Sequence, residues 1–460
     1  MFKASNYLVF VALFITLEIY RIPIMGYNIA FYHLFLALSL LAGLLTLFAK
    51  GRLKIRQGIG TALVILIIFG GYSFIEFVRN LNTMRQEVKG LFLAEIIGYS
   101  MALIVPLFVN KPRTLQRMVT AFLASAVFVY LGSIWHVVVF LTQKEFITGV
   151  PFWHVFSTSE HVNEYLAEPA TFAGFPRFRL PFSSPAGTGL FLSLTGIILL
   201  ALVLYRISNQ RRIPWGLMLI NLINIFCLLG TFARASWAIF GVGSLITLWY
   251  FHKFKFFSLR RGILTVLVMG GFLLITISLI PASSQFVRAF ILRFIPEYTK
   301  ISDIGHLESR ILALRYWTER PVVGLGVGGF WEKPGGGIHT HSTYFTILVE
   351  RGIIGLFLYF LFLMQLYQLV RKTMRMAKKF NDTMVVVYGI AFLSSLSGLF
   401  LGHLLYQMDT ELIWLYYGIV LAYANLNPLR GSGDRDGEAR LVVDIRRGIG
   451  LKERRYCRES

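Results

Sequence analysis

Apolar runs of about 20 residues recur along almost the whole of this chain, separated by short polar stretches. A hydrocarbon core ~30 Å thick is crossed by a helix of about 20 apolar residues, so these runs restrict the fold more than any other feature. Twelve candidates fall at about 6–20, 28–48, 59–78, 91–109, 118–141, 186–205, 213–231, 235–251, 262–281, 343–370, 383–402 and 411–427. The chain has 460 residues, 56% of them hydrophobic, and a mean hydropathy of +0.65. A soluble domain cannot bury that much apolar side chain. The expected fold is an all-α polytopic membrane protein with about twelve transmembrane helices over residues 1–427, followed by a polar, basic tail over 428–460. The opening MFKASNYLVFVALF has no small-residue cleavage site and reads as an uncleaved first helix.

A net charge of +22 would point to nucleic acid in a soluble protein. Here the basic residues sit in short runs between apolar segments, so the charge reads as topology and no nucleic-acid partner is expected. Five short loops, among them Lys50–Arg56, Lys111–Arg117 and Arg371–Lys379, carry nineteen Lys and Arg residues. The short connections on the other side carry five: Arg21, Arg79, Arg85, Lys89 and Arg234. With twelve spans, the basic loops and both termini share one side, and the positive-inside rule makes it the cytoplasm. The tail from Arg430 to Ser460 is then cytoplasmic, and its composition reads as unstructured or lying on the membrane surface. The two cysteines, Cys227 in an apolar run and Cys457 in the tail, imply no disulfide framework.

Two long connections remain, 142–185 and 282–342, both on the extracytoplasmic side in this topology. Loops of this length are uncommon unless functional. The first holds Trp153, His154, His161, Glu164, Glu168, Arg177 and Arg179. In the second, His306–Glu319 has a helical pattern that puts Arg310, Leu314 and Trp317 on one face, with Pro321 as the stop. Seven glycines follow between Gly324 and Gly337, in a stretch able to lie close to a ligand. Then comes His339-Thr340-His341-Ser342, directly before a long apolar helix. An arginine, a glycine-rich loop and a histidine at a membrane surface are suited to a phosphate and a hydroxyl.

These residues carry a resemblance. Arg310-x6-Trp317, the run Arg320-Pro-Val-Val-Gly324-Leu-Gly326-Val-Gly328, His341-Ser342-x-Tyr344 and Glu350-Arg351-Gly352-Ile-Ile-Gly355 together resemble the signature of the O-antigen ligase and polymerase (Wzy-like) superfamily. Thr231-Phe-Ala-Arg234-Ala-Ser236 is similar to that family's short outer turn with an arginine. Arg179-Leu-Pro-Phe-Ser-Ser-Pro185 resembles its first-loop segment, with the usual glycine replaced. The resemblance implies a GT-C-like, multi-span glycosyltransferase of the bacterial inner membrane with its active site facing the periplasm. It implies an undecaprenyl-diphosphate-linked glycan donor and a glycan or lipid acceptor, in contact with membrane lipid and admitting other polysaccharide assembly or export proteins as partners. No cofactor is expected, and the lack of evident metal ligands predicts metal independence. Arg234 and Arg310 are assigned to the diphosphate and His341 to the attacking hydroxyl, as base or as orienting group. Arg179, Trp317, Gly324, Gly326 and His339 are the expected substrate-binding positions. Polymerisation is favoured over ligation onto a lipid A core.

Each residue has a plainer rival. Arg310 can snorkel to the headgroups, Arg234 can be a turn residue, and His341 can be interfacial. His339 reads as a bystander to His341; His154, His161 and His306 read as surface residues. His306 with His339 and His341 is a zinc alternative lacking an evident acidic or cysteine ligand. Gly324-x-Gly326-x-x-Gly329 matches the dinucleotide fingerprint in letters, without the strand before it or the helix after it. Transport is the rival function. Against it, Glu18, Glu76, Glu95, Glu350, Asp409 and Glu411 are all expected near outer helix ends, outlining a chamber open to one side.

Overall fold

The structure, a computed structural model, describes residues 3–17, 21–24, 27–50, 52–82, 86–141, 171–179, 181–182, 184–209, 214–256, 270–271, 278, 283–335, 340–407, 410–426 and 440–444. Helices dominate. In chain order they are α1 (Ala4–Phe14), α2 (Phe31–Lys50), α3 (Gln57–Asn80), α4 (Gln86–Phe108), α5 (Pro112–Ala124), α6 (Ala126–Leu141), α7 (Pro185–Asn209), α8 (Trp215–Gly230) and α9 (Arg234–Lys253). Then come α10 (Ser283–Leu292), α11 (Pro296–Trp317), α12 (Thr343–Lys379), α13 (Thr383–Leu405) and α14 (Glu411–Ala424). Among the described residues, five stretches can cross a membrane by length and composition: Ile59–Asn80, Pro112–Val138, Pro185–Asn209, Thr343–Lys379 and Thr383–Leu405. Five shorter apolar helices join them. Among the described residues, helices occupy every expected span except 262–281, which lies almost wholly outside those residues, as does 142–170 of the first loop.

The bundle centre is built from helices that are apolar on all sides, as a helix enclosed by others must be. α14 is buried along its length from Leu412 to Ala424, and α7 and α13 nearly so. α14 packs on α4, and α13 on α9 and α12. The faces turned away, such as Ile67, Ile68 and Ile75 of α3, are exposed and apolar, as a lipid-facing surface requires.

Three local departures from the sequence reading have physical reasons. The first expected span stops at Phe14, and a hairpin of β1 (Arg21–Ile24) and β2 (Tyr27–Ala30) follows it. Pro23 in β1 cannot continue a helix. The span expected at 118–141 starts earlier, at Pro112, and carries a local irregularity at Ser125 between α5 and α6. There the Ser125 hydroxyl bonds back to the Phe122 carbonyl at 2.7 Å, and the Thr16 hydroxyl takes the Ser125 carbonyl at 3.3 Å. The tail contributes a strand, β6 (Arg440–Asp444), paired antiparallel with β3 (Arg52–Arg56). Residues 52–56 and the tail therefore meet at one side of the bundle.

α12 is the element that positions the second loop. It is interrupted at Gly352, whose φ of 62° and ψ of −167° take one residue out of the helical region. A break inside a bundle leaves backbone groups that need partners. The glycine-rich loop supplies them. Leu325 and Gly326 donate to the carbonyls of Val349 and Glu350 at 2.9 and 2.8 Å, and Ile353 donates to Pro321 at 3.0 Å. The Tyr72 hydroxyl reaches the carbonyls of Val323 and Arg351 at 3.1 and 3.0 Å. A Cβ at Gly352 would overlap the Val322 carbonyl, and one at Gly324 would overlap Glu350. Both glycines have positive φ as well, so the seam admits no other residue without displacement.

The end of α3 clamps the same loop. Arg79 donates to the Gly324 carbonyl at 2.9 Å and Asn80 to the Leu325 carbonyl at 2.9 Å. Below the seam, Arg351 is buried, bonded to Glu95 at 2.5 Å and to the Ser73 hydroxyl at 2.9 Å, while Tyr99 donates to Glu95. Glu350 accepts from the Gly328 amide at 3.0 Å, and Glu76 pairs with Arg79 at 2.7 Å. The expectation that Glu76, Glu95 and Glu350 line an open chamber is corrected: all three are buried against basic partners or backbone amides. Glu411 pairs with His33 at 3.0 Å; Glu18 and Asp409 lie outside the described residues.

Candidate functional site

The second loop forms two helices, α10 and α11, that lie against helix ends of the bundle. α11 starts at Pro296, ten residues before the expected start, because a proline at the first helical turn needs no amide partner. It ends at Trp317, ahead of Pro321. Asp303, His306 and Arg310 are spaced i, i+3, i+7 and share one face.

Opposite Asp303 is the tight turn between α8 and α9. Phe232 in that turn is left-handed, at φ 51°, and its ring is buried among Phe175, Phe286 and Trp237. Two arginines hold the turn by its carbonyls: Arg177 donates to Thr231 at 3.1 Å and Arg293 to Phe232 at 3.0 Å. Arg234 then opens α9, where the helix dipole is already positive. Asp303 answers that charge with both carboxylate oxygens, one at 3.1 Å from Arg234 Nη1 and the other on Nη2. Arg234's hydrogen bonds hold the Asp303 carboxyl below the usual range, against its partial burial.

Opposite Arg310 is the start of α12. His341 is also left-handed, at φ 53°, a conformation uncommon outside glycine and frequent at functional sites. Arg310 Nη2 donates to the His341 carbonyl at 3.3 Å and to the Leu405 carbonyl at the end of α13 at 3.2 Å. Between the two arginines lies His306, its ring edge-on to His341 with centroids 4.0 Å apart. His306 is half-buried, which corrects its reading as a surface residue.

Four guanidinium groups, of Arg177, Arg234, Arg293 and Arg310, thus stand in electrostatic reach of one another or of His306, with Asp303 as the carboxylate facing them. Burial, then Arg293, pulls Arg177 down to about 10, still protonated at neutral pH. Such an array is suited to a polyanion with paired oxygens.

The structure therefore joins Arg234, Arg310 and His341 through α11. Arg179 is buried within electrostatic reach of His136 on α6, and its carbonyl accepts from the Thr188 hydroxyl at 2.6 Å. Trp317 donates to the Pro321 carbonyl at 2.9 Å and packs beside Ala313, Leu325, Phe330 and Val349. For Gly324 and Gly326, the close approach is to the protein's own chain, at Glu350–Gly352 and at Glu76 and Asn80. His339 lies outside the described residues. The zinc alternative rests partly on it; among the described residues no group of three or more metal-ligating side chains gathers. Sequence reasoning gave no role to Arg177, Arg293 or Asp303, and read His306 only as a surface residue or part of a zinc alternative. The Asp303-x-x-His306-x-x-x-Arg310 spacing carried a usable signal for two of them, and Arg293 had none.

Fold and site together define a multi-pass, all-α membrane protein with a cationic site where its helix ends meet a long loop. The model of the family described as Wzy_C, O-Antigen ligase, matches residues 219–360, from α8 into α12, and so spans Arg234, Arg310 and His341. Over that stretch the chain is similar to the O-antigen ligase/polymerase superfamily. No curated protein matches it.

Proposed function

We propose that this protein is a membrane glycosyltransferase that polymerises undecaprenyl-diphosphate-linked glycan repeats by attack of an acceptor hydroxyl on the carrier-linked sugar. The observation that carries the reading is the single face of α11, which sets Asp303, His306 and Arg310 against Arg234 and His341. When the diphosphate leaves the anomeric carbon, negative charge grows on its phosphate oxygens. Preorganised cations aimed at developing charge supply a large share of catalysis. Arg234 and Arg310 take that role, and Arg177 and Arg293 add to the same field. Asp303 holds the fork of Arg234 as a phosphate would, which keeps the guanidinium oriented. His341 meets the acceptor hydroxyl. No metal enters the scheme, and transfer is expected to proceed unchanged in excess EDTA; loss restored by one divalent ion would return the metal reading.

Ligation, the activity in the family's description, is the second reading. Purified full-length protein given undecaprenyl-diphosphate-linked repeats alone separates the two. A ladder of extended products supports polymerisation, and transfer only to an added lipid A core supports ligation. Neither product, with substrate uptake into proteoliposomes, would support transport instead.

The site is placed on the periplasmic side of the inner membrane, with both termini in the cytoplasm, on the strength of the basic loops. Reporter fusions at Arg211, Lys255 and Lys378 are expected to read cytoplasmic, and fusions at Glu160 and Lys333 extracytoplasmic. A cytoplasmic signal at Lys333 would invert the whole arrangement.

A further inference from the structure

The His306 imidazole is held in an unusual way. Its Nε2 lies 3.2 Å from the Ser302 hydroxyl one turn earlier, while its Nδ1 is buried with no hydrogen-bond partner among the described residues. One turn later, Arg310 Nε is likewise buried and unpartnered. Buried polar atoms are almost always satisfied, and two such atoms on adjacent turns of one helix face point to a polar ligand that completes them. Both flank His341 and lie beside the arginines assigned to the diphosphate.

We propose that His306 is the group that takes the acceptor's proton, with His341 orienting the same hydroxyl; this rests on the transferase reading above. In the step, the acceptor oxygen forms a bond to the anomeric carbon and the bond from that carbon to the phosphate oxygen breaks. Its electron pair leaves with the undecaprenyl diphosphate. The hydroxyl proton passes to His306 Nδ1, and the imidazolium gives up a proton to solvent from Nε2 by way of the exposed Ser302 hydroxyl. The tautomer this needs has the proton on Nε2, donated to Ser302, and the lone pair on Nδ1.

The groups that face His306 are Arg310 and Asp303 on its own helix, Arg234 at the start of α9, Arg293 before α11, and the His341 ring. Burial first, then Arg310, holds its pKa below the ordinary 6.5; Asp303 opposes this, while Arg234 and Arg293 add to it. The neutral, proton-accepting form therefore persists below pH 6.5. A bound diphosphate offsets the surrounding positive charge and strengthens the base when the donor is present.

The test uses full-length protein in nanodiscs with ring-labelled histidine, undecaprenyl diphosphate as probe, and transfer measured in membranes that supply carrier-linked glycan. The His306 resonance, identified by its loss in His306→Gln, is expected to titrate below 6.5 and to move upward on adding undecaprenyl diphosphate. Wild-type transfer at limiting donor (kcat/KM) should hold its plateau through pH 6.5 and decline only below it, and at saturating donor the end of the plateau should move upward with the resonance. His306→Gln should lower transfer by about 10²-fold or more, with undecaprenyl diphosphate affinity within about twofold of wild type. His341→Ala should slow transfer without shifting the pH at which the plateau ends. If His306→Gln loses binding as well, the wild-type titration and pH profile decide alone. Transfer by His306→Gln within about threefold of wild type would overturn the proposal, as would a plateau whose end moves only with His341. Wild-type protein that neither binds undecaprenyl diphosphate nor transfers would sink the transferase reading itself, and this step with it.

Discussion

Arg310→Lys is expected to leave transfer nearly as low as Arg310→Ala, about 10²–10³-fold below wild type at equal protein in the membrane. The reason is geometric. One end of the Arg310 guanidinium ties the start of α12 to the end of α13 through the carbonyls of His341 and Leu405. A planar fork can make those bonds and still offer its remaining N–H groups to phosphate oxygens. An ammonium on a flexible stem keeps the charge and loses the paired directions. A snorkelling arginine behaves differently, because lysine reaches the headgroups as well. Initial rates for the two variants, in membranes matched for accumulation, separate these roles. A lysine variant working at half the wild-type rate would take Arg310 out of the diphosphate site.

The largest effect on stability is expected from Arg351→Ala. Its guanidinium is almost fully buried and pairs with Glu95 at 2.5 Å, with the Ser73 hydroxyl as a further partner. Removing it strands a buried carboxylate, and breaking such a pair costs roughly 3–5 kcal/mol. The variant should accumulate poorly and unfold at a much lower temperature in detergent. Arg351→Met combined with Glu95→Gln removes both charges and should recover most of the loss. If the double variant is as unstable as Arg351→Ala, the pair is not the source of the defect. Unchanged unfolding of Arg351→Ala would dismiss the network as a stabilising element.

What the sequence made legible, and what it hid, follows from the range of the interactions involved. Apolar runs report burial in lipid residue by residue, so the helices over 57–80, 185–209 and 383–405 lie where hydropathy puts them. Arg234, Arg310 and His341 stood out because a charge or imidazole beside an apolar helix is conspicuous on its own. Arg177 and Arg293 were hidden because their work is to hold the carbonyls of Thr231 and Phe232, and backbone acceptors leave no mark in a sequence. His306 looked ordinary until α11 began at Pro296 and brought its ring against His341, thirty-five residues away. The glycines invited a ligand because close approach is what glycine permits; the sequence did not say that the approaching backbone is that of α12.

The interruption of α12 at Gly352 has a consequence for anyone recombining such proteins. Pro321–Gly326 is spliced into that helix by its main chain, so the segment carrying His306 and Arg310 is anchored at its far end by bonds that α12 provides. A chimera that exchanges residues 303–342 between relatives inherits the graft without its socket. Exchanges that carry 303–355 together with the end of α3 transfer both halves of the joint and keep its backbone bonds.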